Sequence, residues 1–132
     1  MVRRRSLLAY LIGAGVAGTI LIGPYGLRFA VINLLPGAAI GNPPFFLLPV
    51  AWGLWNLLRA HWLPGIGIGA WGAMLGIAVG VAVNLLFLVQ GTWFLAAPLL
   101  PPFLAVLYFL LFRLIVGPLN EALGVEEPRA EC

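Results

Sequence analysis

Residues 66–89 carry no charge and a single amide side chain, Asn84. A helix of that length crosses the roughly 30 Å hydrocarbon core of a bilayer with some tilt to spare. A water-soluble domain has no comparable place for it, because a small domain buries only part of its surface, and here 63% of the 132 residues are apolar against 8% charged. Similar runs at 7–22, 43–60 and 93–116 lack the polar/apolar alternation of a membrane barrel. The pattern predicts an all-α polytopic integral membrane protein. Residues 1–118 form a bundle of four transmembrane helices, and 119–132 form a polar cytoplasmic tail.

Glycine and proline mark the expected boundaries. Gly23-Pro24-Tyr25-Gly26 closes the first span, Asn42 caps the second ahead of Pro43 and Pro44, and Leu63-Pro64-Gly65 turns the chain into the third. Gln90-Gly91-Thr92 leads into the fourth, which Gly117-Pro118 ends. Residues 27–41 contain Arg28, Asn33 and Pro36-Gly37, and their apolar stretches are too short to cross. A short interfacial or re-entrant segment is expected there, between helices 1 and 2. Arg3, Arg4 and Arg5 before an apolar run have the outline of a secretory signal, but no clear small-x-small cleavage site follows. The run is read as a retained first span.

The cations orient the chain. All seven basic side chains other than His61 are arginine, and the first carboxylate is Glu121. With four spans, Arg3, Arg4, Arg5, Arg59, Arg113 and Arg129 share one face, leaving Arg28 opposite. Arginine-rich loops stay inside, so the expectation is a multi-pass cell-membrane protein with both termini cytoplasmic. Trp55 and Trp62 near one face and Trp93 near the other suit the interfacial aromatic belt. The arginines are scattered without interleaved aromatics, which argues against nucleic acid as a partner. The lipid bilayer is the first partner, with other membrane subunits or a second copy of the chain as further candidates.

The sharpest pattern is Gly72, Gly76 and Gly80, followed by Asn84, at four-residue spacing on one helix face. In lipid such a stripe lets another backbone approach closely. Ala9, Gly13 and Ala17 repeat the spacing on the first span, so a contact between spans one and three is expected. Packing within the chain is favoured over an oligomer face. Asn56 and Asn84 are the deepest amides and the candidate intramembrane polar cluster, serving as interhelical glue or as the lining of a solute path. Pro49, Pro98, Pro101 and Pro102 suggest broken helices with freed carbonyls. Arg59 and Arg113 are candidate contacts for lipid headgroups, their long side chains snorkelling outward.

Catalytic chemistry finds little footing. Ser6, Thr19 and Thr92 are the only hydroxyl nucleophiles of their type, and none has a carboxylate nearby in sequence. His61 is a lone histidine, Cys132 a lone cysteine, and no phosphate-binding glycine loop with lysine occurs. No enzymatic activity, cofactor or metal is expected. The expected function is non-catalytic, through helix–helix association as a subunit of a membrane complex or as a homo-oligomer. The alternative is a passive channel or carrier for a small neutral or anionic solute, without carboxylate-based proton coupling.

Overall fold

The computed structural model describes residues 2–34, 47–91 and 95–126. Among these residues there is no strand, and the chain forms four helical rods. They are α1 (Val2–Leu34), α2 (Leu47–Trp62), α3 (Ile68–Val89) and a composite fourth rod. The fourth opens with a 3-10 turn at Ala97–Leu99, continues as α4 (Leu100–Leu111), widens to a π turn at Phe112–Val116 and ends as α5 (Gly117–Ala122).

Three stretches are long and apolar enough to cross a membrane: Arg3–Gly23, Ile68–Val89 and Ala97–Ala122. Only 17–28% of their most apolar windows is buried inside the protein. Their outward faces carry Leu11, Ile22, Ile77, Val81, Leu85, Phe103 and Val106. Water would penalise that much exposed hydrocarbon, whereas acyl chains accept it. The arrangement is consistent with a multi-pass membrane protein. Within the described residues α2 has 16 residues, a rise of about 24 Å, just short of the hydrocarbon thickness.

Three expected boundaries move. The helix does not stop at Gly23-Pro24, because α1 runs through both residues to Leu34. A proline withholds one donor, but in lipid an interrupted helix would leave more backbone groups unpaired than a continued one. Residues 27–34 therefore prolong α1 instead of starting a separate interfacial or re-entrant element, and 35–41 lie outside the described residues. Gly117-Pro118 does not end the fourth rod either. The π turn transfers the bonding so that the Gly117 amide donates to the Phe112 carbonyl, and a locally widened ladder accommodates the proline one position later. Finally, two of the prolines expected to break span four sit at a helix start: Pro101 and Pro102 fall in the first turn of α4, where amides have no intrahelical acceptor in any case. Pro49 lies within α2, whose described residues begin at Leu47. The expected cap at Asn42 with Pro43 and Pro44, the belt residue Trp93, and Arg129 and Cys132 lie outside the described residues.

The rods pack as two antiparallel hairpins, α1 with α2 and α3 with α4. Gly72, Gly76 and Gly80 all face α4. A Cβ on Gly72 would lie 2.6 Å from the Tyr108 carbonyl oxygen, one on Gly76 would strike the Leu104 carbonyl, and one on Gly80 would strike the Pro101 backbone. On the other hairpin, Gly13 lies against the Trp52 carbonyl and Gly53 against Tyr10. The expected joint between spans one and three is therefore replaced by joints between helices consecutive in sequence, as is usual for neighbouring elements. Gly91, with φ of 68°, makes the left-handed turn that ends α3, its amide donating to the Leu88 carbonyl.

The hairpins meet where α2 lies against α3 and where α1 lies against the π turn and α5. Gly13 opposite Trp52, and Phe109 over Gly69 near the start of α3, align the rods so that Arg3, Arg4, Arg5, Arg59 and Arg113 gather at one end. We call it the arginine end. Here Trp52 meets Tyr108 edge-on, centroids 4.8 Å apart, and also touches Phe112 at 4.8 Å. Ala9, Phe112 and Val116 are fully buried around them.

Candidate functional site

Polar side chains enter this core in an ordered sequence. On α2, Trp52, Asn56 and Arg59 recur at helical spacing and share a buried face. On the fourth rod Phe112, Val116 and Asn120 repeat every fourth residue and are each fully buried. Two amides therefore confront one another across the hairpin boundary. Asn56 Nδ2 donates to Asn120 Oδ1 at 3.0 Å, and Asn120 Nδ2 returns a bond to Asn56 Oδ1 at 2.9 Å. Asn56 Nδ2 also donates to the Ala9 carbonyl at 2.7 Å, which brings α1 into the same knot. One pair of amides thus ties α1, α2 and α5 together, and in a low-dielectric setting such satisfied networks fix geometry strongly.

The knot continues to a charge pair. Asn120 Nδ2 donates to Glu126 Oε1 at 3.2 Å, and Glu126 pairs with Arg59 Nη1. Arg59 is only 3% exposed, and its Nε donates to the Ile66 carbonyl at 2.8 Å. The guanidinium is thereby held by the α2–α3 connection on one edge and by a carboxylate on the other. Glu126 is brought there by a turn after α5. Gly124 adopts φ of 70°, and the Val125 amide donates back to the Asn120 carbonyl at 2.8 Å. Beside this pair lies an open cavity of about 500 Å³, lined by Arg59, Ala60, residues 64–67, Val125 and Glu126.

A second clasp joins α2 to α3. Trp55 Nε1 donates to the Trp71 carbonyl and Trp71 Nε1 to the Trp55 carbonyl, both at 2.8 Å. The indoles stack at 4.5 Å with an interplanar angle of 22°. Each ring buries apolar area while its polar handle is satisfied.

The candidates from the sequence are distributed as follows. Ala9, Gly13 and Ala17 are buried on α1, with Gly13 against α2; Gly72, Gly76 and Gly80 are buried against α4. Asn56 and Asn84 do not form one cluster. Asn56 lies at the arginine end, while Asn84 lies near the opposite end of α3, its Nδ2 donating to the Ala97 carbonyl at 2.7 Å. Antiparallel connectivity separates them, because each stands near the C-terminus of its own helix and successive helices point in opposite directions. The Ala97 carbonyl, which receives no bond from Pro101, accepts from the Leu100 amide and from Asn84. Arg113 is exposed, its guanidinium carbon 5.9 Å from the Phe109 centroid. Arg59 faces inward to Glu126 instead of outward to headgroups. His61 is exposed beside Trp62.

The sequence reading does not reach two residues of this knot, Asn120 and Glu126, because it places both in the tail. The spacing Phe112, Val116, Asn120 carries the signal for the first. Glu126 arrives through a turn and leaves no periodic trace. Among the described residues no group of three or more His, Cys, Asp or Glu gathers to hold a metal ion. No protein-family model matches the sequence, and no curated protein or solved structure matches it.

Proposed function

We propose that this chain is a non-catalytic, four-span membrane protein that acts by associating with other helices in the bilayer, as a subunit of a larger complex or as a homo-oligomer. In this reading α2 is the fourth span, and the arginine end, with both termini, lies on the cytoplasmic side. The supporting observation is the division among the glycines. Gly13, Gly53, Gly72, Gly76 and Gly80 are each closed off by a neighbouring helix, whereas Gly15 and Gly18 on α1 have nothing within 4 Å of where a Cβ would stand. Thr19, beside them, turns its hydroxyl back to the Gly15 carbonyl at 2.9 Å, so this strip presents small groups without a donor competing for outside partners.

Close approach of helices in lipid relies on such strips, since apolar side chains gain little by leaving acyl tails. The associating face is therefore assigned to α1, not to α3, whose glycines are taken up by α4. Native mass spectrometry of the full chain in mild detergent tests the reading. The expected result is an oligomer or a complex with a co-purifying subunit, dissociated by the double substitution Gly15→Leu/Gly18→Leu with helicity unchanged. A lone monomer from native membranes, without partners and identical in the variant, removes the proposal.

A further inference from the structure

We infer that the cavity at the arginine end is a binding site for a phosphate group, and that Glu126 fills its anion position from within the chain. This goes beyond the association reading and does not depend on it. The starting point is Arg59, the one charged residue counted as buried among the described residues. A guanidinium withdrawn from water requires an anion in contact with it. The bond from Nε to the Ile66 carbonyl fixes one edge of the fork, which leaves the terminal nitrogens as the edge that receives the anion. In the structure that anion is the Glu126 carboxylate.

Three features distinguish this pair from a purely structural one. First, an open cavity of about 500 Å³ adjoins both partners, where a structural pair in a packed core would leave no such space. Second, the cavity wall at Gly65 and Gly67 bears no side chain, and nothing lies within 4 Å of where a Cβ would stand at either residue. Third, Glu126 is on a turn, beyond the end of α5 and after the left-handed Gly124. It can leave without unwinding a helix. Its other ties are the Asn120 Nδ2 bond at 3.2 Å and its own amide to the Asn120 carbonyl at 3.3 Å, both at the long end of useful geometry.

A phosphate is the complementary ligand. Its tetrahedral oxygens accept two parallel bonds from a guanidinium fork, and its greater charge makes those bonds stronger than a carboxylate's. It enters from the open side, takes the Nη edge of Arg59 and releases Glu126. The Asn56–Asn120 pair stays in place, because neither of its reciprocal bonds involves Glu126. Occupancy thus changes the C-terminal turn while the helical core stays constant. The phosphate is that of an anionic lipid headgroup or of a free phosphate ion, which present the same group to Arg59.

The full chain in detergent, titrated with inorganic phosphate and followed by tryptophan fluorescence, provides the first test. E126Q is expected to bind phosphate at least tenfold more tightly than the wild type, and the double variant R59Q/E126Q is expected to show no response. Absence of binding by E126Q, or an equal response in the double variant, overturns the assignment. Should E126Q fail to fold, the wild type decides through hydrogen–deuterium exchange of the Val125 and Glu126 amides. Exchange is compared in phosphatidylcholine nanodiscs alone, with phosphatidic acid added, and with inorganic phosphate added. Severalfold faster exchange supports the site, and the addition that causes it identifies the source. Unchanged exchange with both additions overturns it.

Discussion

The two ends of this molecule are held together by different physics. At the arginine end, Asn56, Asn120, Arg59 and Glu126, with the Trp55–Trp71 clasp, join both hairpins through directed bonds. Towards the opposite end the described ties lie within the α3–α4 hairpin: Gly76 and Gly80 bring the helix backbones together, and Asn84 adds one bond to Ala97. Apolar burial discriminates weakly in lipid, so a membrane protein is left with close packing and hydrogen bonding as its means of specifying neighbours. Here the first means builds each hairpin and the second docks one hairpin on the other. The polar end therefore determines the tertiary arrangement, and the glycine faces determine the pairs.

Substitutions can break this division, beginning with the most severe. Gly76→Leu drives a side chain into the Leu104 carbonyl and the Ala105 backbone, so α3 and α4 must separate. Overpacking against backbone that cannot yield is expected to cost upwards of about 3 kcal/mol, read as loss of cooperative unfolding in a denaturant titration. Next is Asn56→Leu, which removes three bonds and leaves the buried Asn120 Oδ1 without its donor. At about 0.6–1.7 kcal/mol per intramembrane bond, the expected loss is roughly 2–3 kcal/mol by steric trapping. Circular dichroism should show full helicity, because the hairpins survive when their docking fails. A drop in helicity comparable to that of Gly76→Leu would erase the distinction between the two ends.

A smaller effect is expected of Trp55→Phe, which keeps the ring stack and deletes one of two reciprocal bonds. About 1 kcal/mol is anticipated, and a double cycle with Trp71→Phe should show the pair to be coupled. Asn84→Leu should be the mildest. It forfeits the bond to Ala97, but Asn84 Oδ1 is buried with no protein partner among the described residues, and removing an unmet acceptor offsets part of that loss. A net change within about 0.6 kcal/mol is expected by the same unfolding assay. A loss as large as that of Asn56→Leu would mean that the opposite end is also locked by polar contacts.

Much of this fold was legible along the chain, and the failures have physical causes. The α3 span is read correctly from its uncharged length, and the face bearing Gly72, Gly76 and Gly80 from its spacing. Their partner was misassigned because a glycine stripe states that a backbone comes close without stating which one. Gly23-Pro24 and Gly117-Pro118 read as stops, as they would be in water, where solvent replaces a lost backbone bond. In lipid the helix continues instead, through a π turn in the second case. Of the candidate site, the sequence marks Asn56 as a deep amide and Arg59 only as a headgroup contact, whereas Arg59 turns inward to Glu126. Asn84 was grouped with Asn56 on depth alone, and depth does not distinguish the two ends of a bundle.

By itself the sequence determined the all-helical, membrane-compatible character of the chain and the α3 span. These follow from local quantities, namely the apolar length of each run, the spacing of small residues and the placement of charge. The tertiary structure alone decided which helix fills each glycine face, that Asn56 meets Asn120, and that the buried Arg59 takes its anion from Glu126. Such contacts join residues far apart in sequence, 64 positions for the two amides and 67 for the ion pair. A donor's need for an acceptor is visible in its own residue type, but which acceptor answers it is fixed only when the hairpins dock.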